Sequence, residues 1–179
     1  MKKYRMVIIF LFIIFSVSLA VKLIFTDKQR ISDEFANQLY NYPIPPQTEI
    51  IKKGKNNGKF AGEFGNGDYW NTFSYMTLSS QLSQEEILDY YRNADLFISP
   101  GSNKKTIPIE IYFKGHLVKE KHVQKYYYTL NHGFRGLVTR YIDDSGQIKE
   151  EYKVEKGPKD RIEYIIQIHG QFNYFPKIS

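Results

Sequence analysis

Residues 6–21 read MVIIFLFIIFSVSLAV, sixteen positions without a charged side chain, and this stretch decides the architecture of the chain. Lys22 interrupts it before residues 23–25 continue it, so the apolar segment 6–25 covers 20 residues. A helix of that length matches a hydrocarbon layer about 30 Å thick, and a lysine near its end can reach the headgroups. The sequence therefore predicts a single-pass transmembrane anchor within residues 1–25.

Basic residues in front of the apolar segment set its expected orientation. Lys2, Lys3 and Arg5 precede it, and positively charged flanks stay on the cytoplasmic side. The C-terminal domain is then expected outside the cell membrane. The alternative is a signal peptide cleaved after Ala20, because Ser18-Leu19-Ala20 has the small-x-small pattern of a cleavage site. Cleavage there would give a secreted protein.

Composition limits the remaining classes of protein. A chain of 179 residues is long enough for one domain. Its 15 tyrosines and 13 phenylalanines favour β-strands, since aromatic side chains suit half-buried sheet surfaces. The chain has no cysteine, which excludes disulfides, a thiol nucleophile and thiolate metal sites.

The net charge of +6 does not indicate a nucleic-acid partner. Four of the 25 basic residues lie in or beside the leader, which leaves 21 against 19 acidic residues in the rest of the chain. Most of the excess charge is therefore a topology signal rather than a surface for polyanions. We expect no nucleic-acid binding.

The region after the anchor divides into a linking segment and a domain. In residues 26–46, Ile31, Phe35 and Leu39 recur at helical spacing and predict a juxtamembrane helix. The sequence YPIPP at 42–46 must be extended, which indicates a stiff proline-rich spacer. Residues 47–179 are then the extracytoplasmic domain.

Two strands and a loop are predicted at the start of the domain. Residues 49–53 form a short strand candidate, and the lysine- and glycine-rich 52–59 (KKGKNNGK) is typical of a loop. Residues 69–79 (YWNTFSYMTLS) are rich in aromatic and β-branched side chains on both alternating faces. This pattern predicts a central strand that is covered on both sides.

A helix start is the clearest local signal in the chain. Ser83 and Glu86 are spaced as the N-cap and third residue of a capping box, and Leu82 and Ile87 are spaced for a hydrophobic staple. The predicted helix extends to about Ala94.

The second half of the chain predicts strands joined by short connections. The strand candidates are 107–113, 126–130, the hairpin arms 137–142 and 148–154 around a turn at 143–146, and a one-sided strand at 162–169. Short connections favour antiparallel neighbours. The predicted fold class is α+β, an antiparallel meander packed on one main helix.

Catalytic and metal-binding motifs are missing from the sequence. The four histidines form no i, i+4 pair and no HExxH, and no phosphate-binding glycine loop or GxSxG elbow occurs. We expect no metal, no cofactor and a non-catalytic role. The alternative of a cell-wall-directed hydrolase rests on Glu63 and Asp68, two acids between aromatic stretches.

Lysines near aromatic residues form a candidate binding surface for an anionic wall polymer or an envelope protein. Its members are Lys52, Lys53, Lys55, Lys59, Trp70, Lys114, Lys119 and Lys121. Together with the leader, this surface predicts a membrane-anchored extracytoplasmic binding or accessory module, with the lipid bilayer as its first partner.

Overall fold

A computed structural model describes residues 2–59, 69–122, 125–131 and 135–173. The helices in these ranges are α1 (Lys2–Tyr40), α2 (Gln84–Arg92) and α3 (Val138–Tyr141). The strands are β1 (Thr48–Lys59), β2 (Tyr69–Ser80), β3 (Phe97–Ile98), β4 (Lys105–Ile107), β5 (Glu110–Phe113), β6 (Leu117–His122), β7 (Lys125–Leu130) and β8 (Ile162–Asn173). Short 3₁₀ turns lie at Lys114–His116, Glu150–Tyr152 and Pro158–Asp160.

The leader and the predicted juxtamembrane helix form one continuous helix, α1, of 39 residues. By length and composition its apolar part is able to cross a membrane or to act as a signal sequence, and none of that window is buried. The second part of the helix is different. Its side chains at Lys28, Ser32, Phe35, Ala36 and Leu39 are buried at helical spacing. The same helix is therefore exposed in its amino-terminal apolar part and buried in the domain core in its carboxyl-terminal part.

The main sheet is antiparallel and has the strand order β1-β2-β8-β5. This confirms the predicted α+β class with an antiparallel sheet. The order is not that of a simple meander, because β8, the last strand in the chain, lies between β2 and β5. β2 is central and pairs with β1 on one side and with β8 along its whole length on the other, which agrees with the strand predicted at 69–79.

The prediction of a loop at 52–59 is wrong, since these residues belong to β1. Lys53 pairs with Met76 and Asn57 with Thr72. The neighbouring strand therefore satisfies the backbone hydrogen-bonding groups of a segment whose composition is typical of a loop. Gly54 has a packing role there, because a Cβ at this position would lie 2.5 Å from the ring of Tyr75.

The hairpin arms predicted at 137–142 and 148–154 are also wrong. The first becomes α3 and the second contains the turn Glu150–Tyr152, with a bridge between Ile142 and Ile148. Tyr141 is drawn into the core, where its hydroxyl donates to the Ile111 carbonyl at 2.5 Å. The turn at 143–146 is present, and the Asp143 carboxylate accepts the backbone N–H groups of Ser145 and Gln147.

Two other strand predictions need correction. The alternating run at 107–113 divides at Pro108-Ile109 into β4 and β5, since proline cannot donate to a ladder. The strand at 162–169 is covered on both faces, because Ile165 and Gln167 are as buried as their neighbours.

The capping box is confirmed. Ser83 Oγ accepts the Glu86 backbone N–H at 3.2 Å, and the Glu86 carboxylate accepts the Ser83 N–H at 2.7 Å. The helix then buries Ile87, Leu88 and Tyr91, and the Tyr91 ring lies 6.4 Å from that of Tyr164 in β8.

Candidate functional site

A cleft of about 530 Å³ lies where β2 ends and β8 begins. Three separate segments build it: the end of β2 at Ser79, the 3₁₀ turn after β5, and the chain leading into β8. Its charged and titratable lining residues are Lys114, His116, Lys153, Glu155, Arg161 and Glu163. Cations from two of these segments, Lys114 from one and Lys153 and Arg161 from the other, therefore line one concave surface.

Arg161 forms a fixed wall of the cleft. Its guanidinium donates from Nε to Ser79 Oγ at 2.8 Å and from Nη2 to the Ser79 carbonyl at 2.7 Å. Nη1 lies 3.5 Å from the Glu49 carboxylate, and only 16 % of the side chain is exposed. A planar guanidinium held by several acceptors keeps its orientation, so this positive charge is positioned before any ligand arrives.

Lys114 and Lys153 are the exposed cations of the cleft. Their side chains are 72 % and 57 % exposed and pair with Glu163, at 2.6 Å, and with Glu150. Surface ion pairs of this kind contribute about 0–1 kcal/mol. An anionic ligand is therefore able to displace the carboxylates at little cost.

His116 is the one imidazole of the cleft. Burial lowers its pKa, so it is neutral at pH 7, and its ring lies edge-on to Tyr152 at 5.8 Å. Its buried Nδ1 has no hydrogen-bond partner among the described residues. The hydroxyl of Ser79, the other candidate reactive group, accepts from Arg161 Nε, and among the described residues it does not donate to His116. Ser79 and His116 thus do not form a nucleophile–base pair here.

Three predicted surface residues contact α1. Lys53 Nζ donates to the Tyr40 carbonyl at 2.8 Å, and Lys55 forms an ion pair with Asp33. Trp70 is 7 % exposed and packs edge-on against Phe25, with ring centroids 6.1 Å apart. These three side chains fasten the helix to the β1–β2 hairpin.

The described contacts of α1 do not include the other predicted surface residues. Lys114 lines the cleft, and Lys52 and Lys119 are exposed on β1 and β6. The side chains of Lys59 and Lys121 lie outside the described part of the chain. The described members are thus distributed over β1, β2, β6 and the cleft, and a shared binding surface stays a prediction.

A buried carboxylate lies on the sheet face opposite α1. Glu110 is 2 % exposed and accepts from Arg135 Nε at 2.6 Å, from the Tyr112 hydroxyl and from Gln167 Nε2 at 3.3 Å. Burial and this carboxylate raise the pKa of Tyr112. With three donors the buried charge is compensated, so removal of one of these partners should destabilise the fold.

The sequence did not indicate the cleft, because Ser79 and Arg161 are 82 residues apart. The two residues meet only through the pairing of β2 with β8. Within the described ranges no group of three or more histidine and acidic side chains is placed to hold a metal ion. Glu63, Asp68 and His132 lie outside those ranges.

Comparison of the chain with family models, with curated proteins and with solved structures returned no match. The class that the fold defines is an α+β domain with a long apolar helix at its amino end.

Proposed function

We propose that this protein is a single-pass, membrane-anchored extracytoplasmic binding module without catalytic activity. The observation that supports the proposal is the difference in burial between the two parts of α1. Its apolar residues are bare, whereas Phe35 and Leu39 further along the same helix are 1 % and 0 % exposed in the domain core. The exposed apolar side chains described between Met6 and Phe25 suit a lipid environment.

The proposed topology puts the amino terminus in the cytoplasm and the domain outside. Lys2, Lys3 and Arg5 supply the positive flank that is retained inside. The cleft is then far from the bilayer. From Trp70, which contacts Phe25 at the end of the apolar segment, to Ser79 at the cleft, β2 rises by roughly 30 Å.

The ligand we propose is an anionic envelope polymer or an acidic protein surface. Arg161 offers a fixed charge, and Lys114 and Lys153 offer exposed ones whose carboxylate partners exchange easily. The absence of a nucleophile–base pair between Ser79 and His116 favours binding over hydrolysis.

Binding of poly(glycerol phosphate) to the full chain in detergent micelles, measured by calorimetry, tests this role. The variant Lys114→Gln/Lys153→Gln should weaken binding by at least about tenfold, if each lost contact to a charged group costs about 1 kcal/mol or more. The matched control Lys104→Gln/Lys105→Gln removes the same charge from exposed lysines elsewhere. Equal weakening by both variants, or no binding by the wild type, would contradict a role for the cleft.

The second candidate function is that of a secreted protein released by cleavage after Ala20. Cleavage there would leave the domain core intact. The described contacts from α1 to the sheet begin at Phe25, and the buried residues begin at Lys28. Intact mass of the cellular protein decides between residues 1–179 and residues 21–179.

A further inference from the structure

We propose that the rim of the sheet around Tyr69, Trp70 and Phe172 rests in the headgroup layer of the bilayer. The proposal depends on the anchor described above and adds to it a fixed orientation of the domain. The surface involved is the end of the sheet where β2 begins and β8 ends, and its partner is the phospholipid headgroup layer.

Contacts at its two ends set the direction of α1 along the sheet. At one end Phe25 packs on Trp70, and at the other Tyr40 accepts from Lys53, which pairs with Met76. Fifteen helical residues rise by about 22 Å, and the six residues from Trp70 to Met76 rise by about 20 Å. Helix and strands therefore run nearly side by side.

Further contacts fix the helix to the sheet at several points along that length. Trp70 Nε1 donates to Ser32 Oγ at 3.2 Å, Asn57 donates to Gln29 at 3.1 Å, and Lys55 pairs with Asp33. A Cβ at Gly170 would lie 3.1 Å from Phe35, so the helix lies close against β8 as well. The domain cannot turn about α1 without breaking these contacts.

The length of the apolar segment sets the position of the bilayer along α1. Residues 6–25 fill about 30 Å, the thickness of the hydrocarbon layer, so Phe25 lies at its outer boundary. α1 continues as a helix beyond this point without interruption. Trp70, whose ring lies 6.1 Å from that of Phe25, must then lie just outside the hydrocarbon.

The chemistry of the rim suits that depth. Tryptophan and tyrosine prefer the membrane–water interface, where an apolar ring and a polar group are both accommodated. Tyr69 is 42 % exposed and Phe25 49 % exposed at this end of the domain. Lys28 holds the rim together, since its Nζ donates to the Asn173 carbonyl at 3.0 Å and lies 5.3 Å from the centre of the Phe172 ring.

Fluorescence quenching of Trp70 tests the proposal directly, because Trp70 is the single tryptophan of the chain. The full chain is reconstituted into phosphatidylcholine vesicles that carry a nitroxide either on the headgroup or deep on the acyl chain. We expect the headgroup label to reduce Trp70 emission more than the deep label does. No quenching by either label, or stronger quenching by the deep label, would overturn the proposal.

A second tryptophan position separates failure of the rim from failure of the anchor. In Trp70→Phe/Phe12→Trp the reporter lies within the apolar segment, so the deep label should quench it more strongly. If that holds while Trp70 is not quenched, the anchor stands and the rim proposal is wrong. If the reporter at position 12 is not quenched either, the anchor itself is wrong.

Discussion

Trp70 and Ser32 join α1 to the central strand β2 through a buried hydrogen bond of 3.2 Å from the indole Nε1 to the hydroxyl. Trp70 is 7 % exposed and Ser32 is 0 % exposed. The bond links residues 38 positions apart, one in α1 and one in β2. The second part of α1 is thereby an integral part of the domain.

Removing this acceptor should destabilise the domain. Ser32→Ala deprives a buried donor of a hydrogen bond, which costs about 1–3 kcal/mol. We expect the Tm of the full chain in micelles to fall by about 2–4 °C per kcal/mol, measured by near-ultraviolet circular dichroism. Ser18→Ala, at an exposed position of the same helix, is the control. An unchanged Tm in Ser32→Ala would show that the bond does not support the fold.

Close packing at Gly170 gives a second prediction. A Cβ there would lie 2.5 Å from Pro100 Cδ as well as 3.1 Å from Phe35 Cζ. Gly170→Ala should therefore lower the free energy of unfolding by about 1–3 kcal/mol through overpacking. Gly115→Ala is the matched control, because its Cβ would meet Val154 at an ordinary 3.7 Å. Thermal unfolding of the two variants should differ clearly, and equal Tm values would contradict the described helix–sheet approach.

The imidazole of His169 should make the free energy of unfolding depend on pH. The ring stacks on Phe73 at 4.0 Å, and burial, with a smaller effect of the Arg135 charge, lowers its pKa to about 4. An unfolded histidine has a pKa of about 6.5, so the unfolded state takes up the proton first as the pH falls. Stability from this residue is complete above about pH 6.5 and is lost progressively towards pH 4.

Thermal unfolding between pH 7 and pH 4 measures this effect. The slope should approach about 1.4 kcal/mol per pH unit for one such group, and His169→Gln should remove that part of it. A variant whose pH dependence equals that of the wild type would mean that His169 is not protonated on unfolding in this range.

Because the carboxylate of Glu110 is buried, two arginine variants should differ in their effect on the free energy of unfolding. Arg135→Ala removes a charged partner from a side chain that is 2 % exposed, whereas Arg92→Ala breaks an exposed pair with Asp89. We expect a loss of about 1–3 kcal/mol for the first and at most about 1 kcal/mol for the second. Tm measurements on both variants check this order, and the reverse order would contradict the account of the cluster.

Local signals in the sequence were sufficient for some elements. The start of α2 was predictable because Ser83 and Glu86 interact across three residues. β2 was predictable because both of its faces are apolar enough for a central strand. The apolar leader was visible from length alone.

Features that depend on distant partners were not predictable. Residues 52–59 form a strand only because β2 pairs with them, and 137–142 becomes helical where Tyr141 enters the core. The cleft arises where Ser79, His116 and Arg161 meet at one end of the sheet, a juxtaposition that depends on β8 lying beside β2. No spacing rule connects residues so far apart.

The most direct test of the anchored, outward-facing topology uses the absence of cysteine from the chain. Asp144→Cys introduces one thiol at an exposed turn of the domain, and Tyr4→Cys introduces one before the apolar segment. On intact cells a membrane-impermeant maleimide should label the full-length Asp144→Cys protein, and should label Tyr4→Cys only after permeabilisation. Labelling of Asp144→Cys that requires permeabilisation would contradict the account.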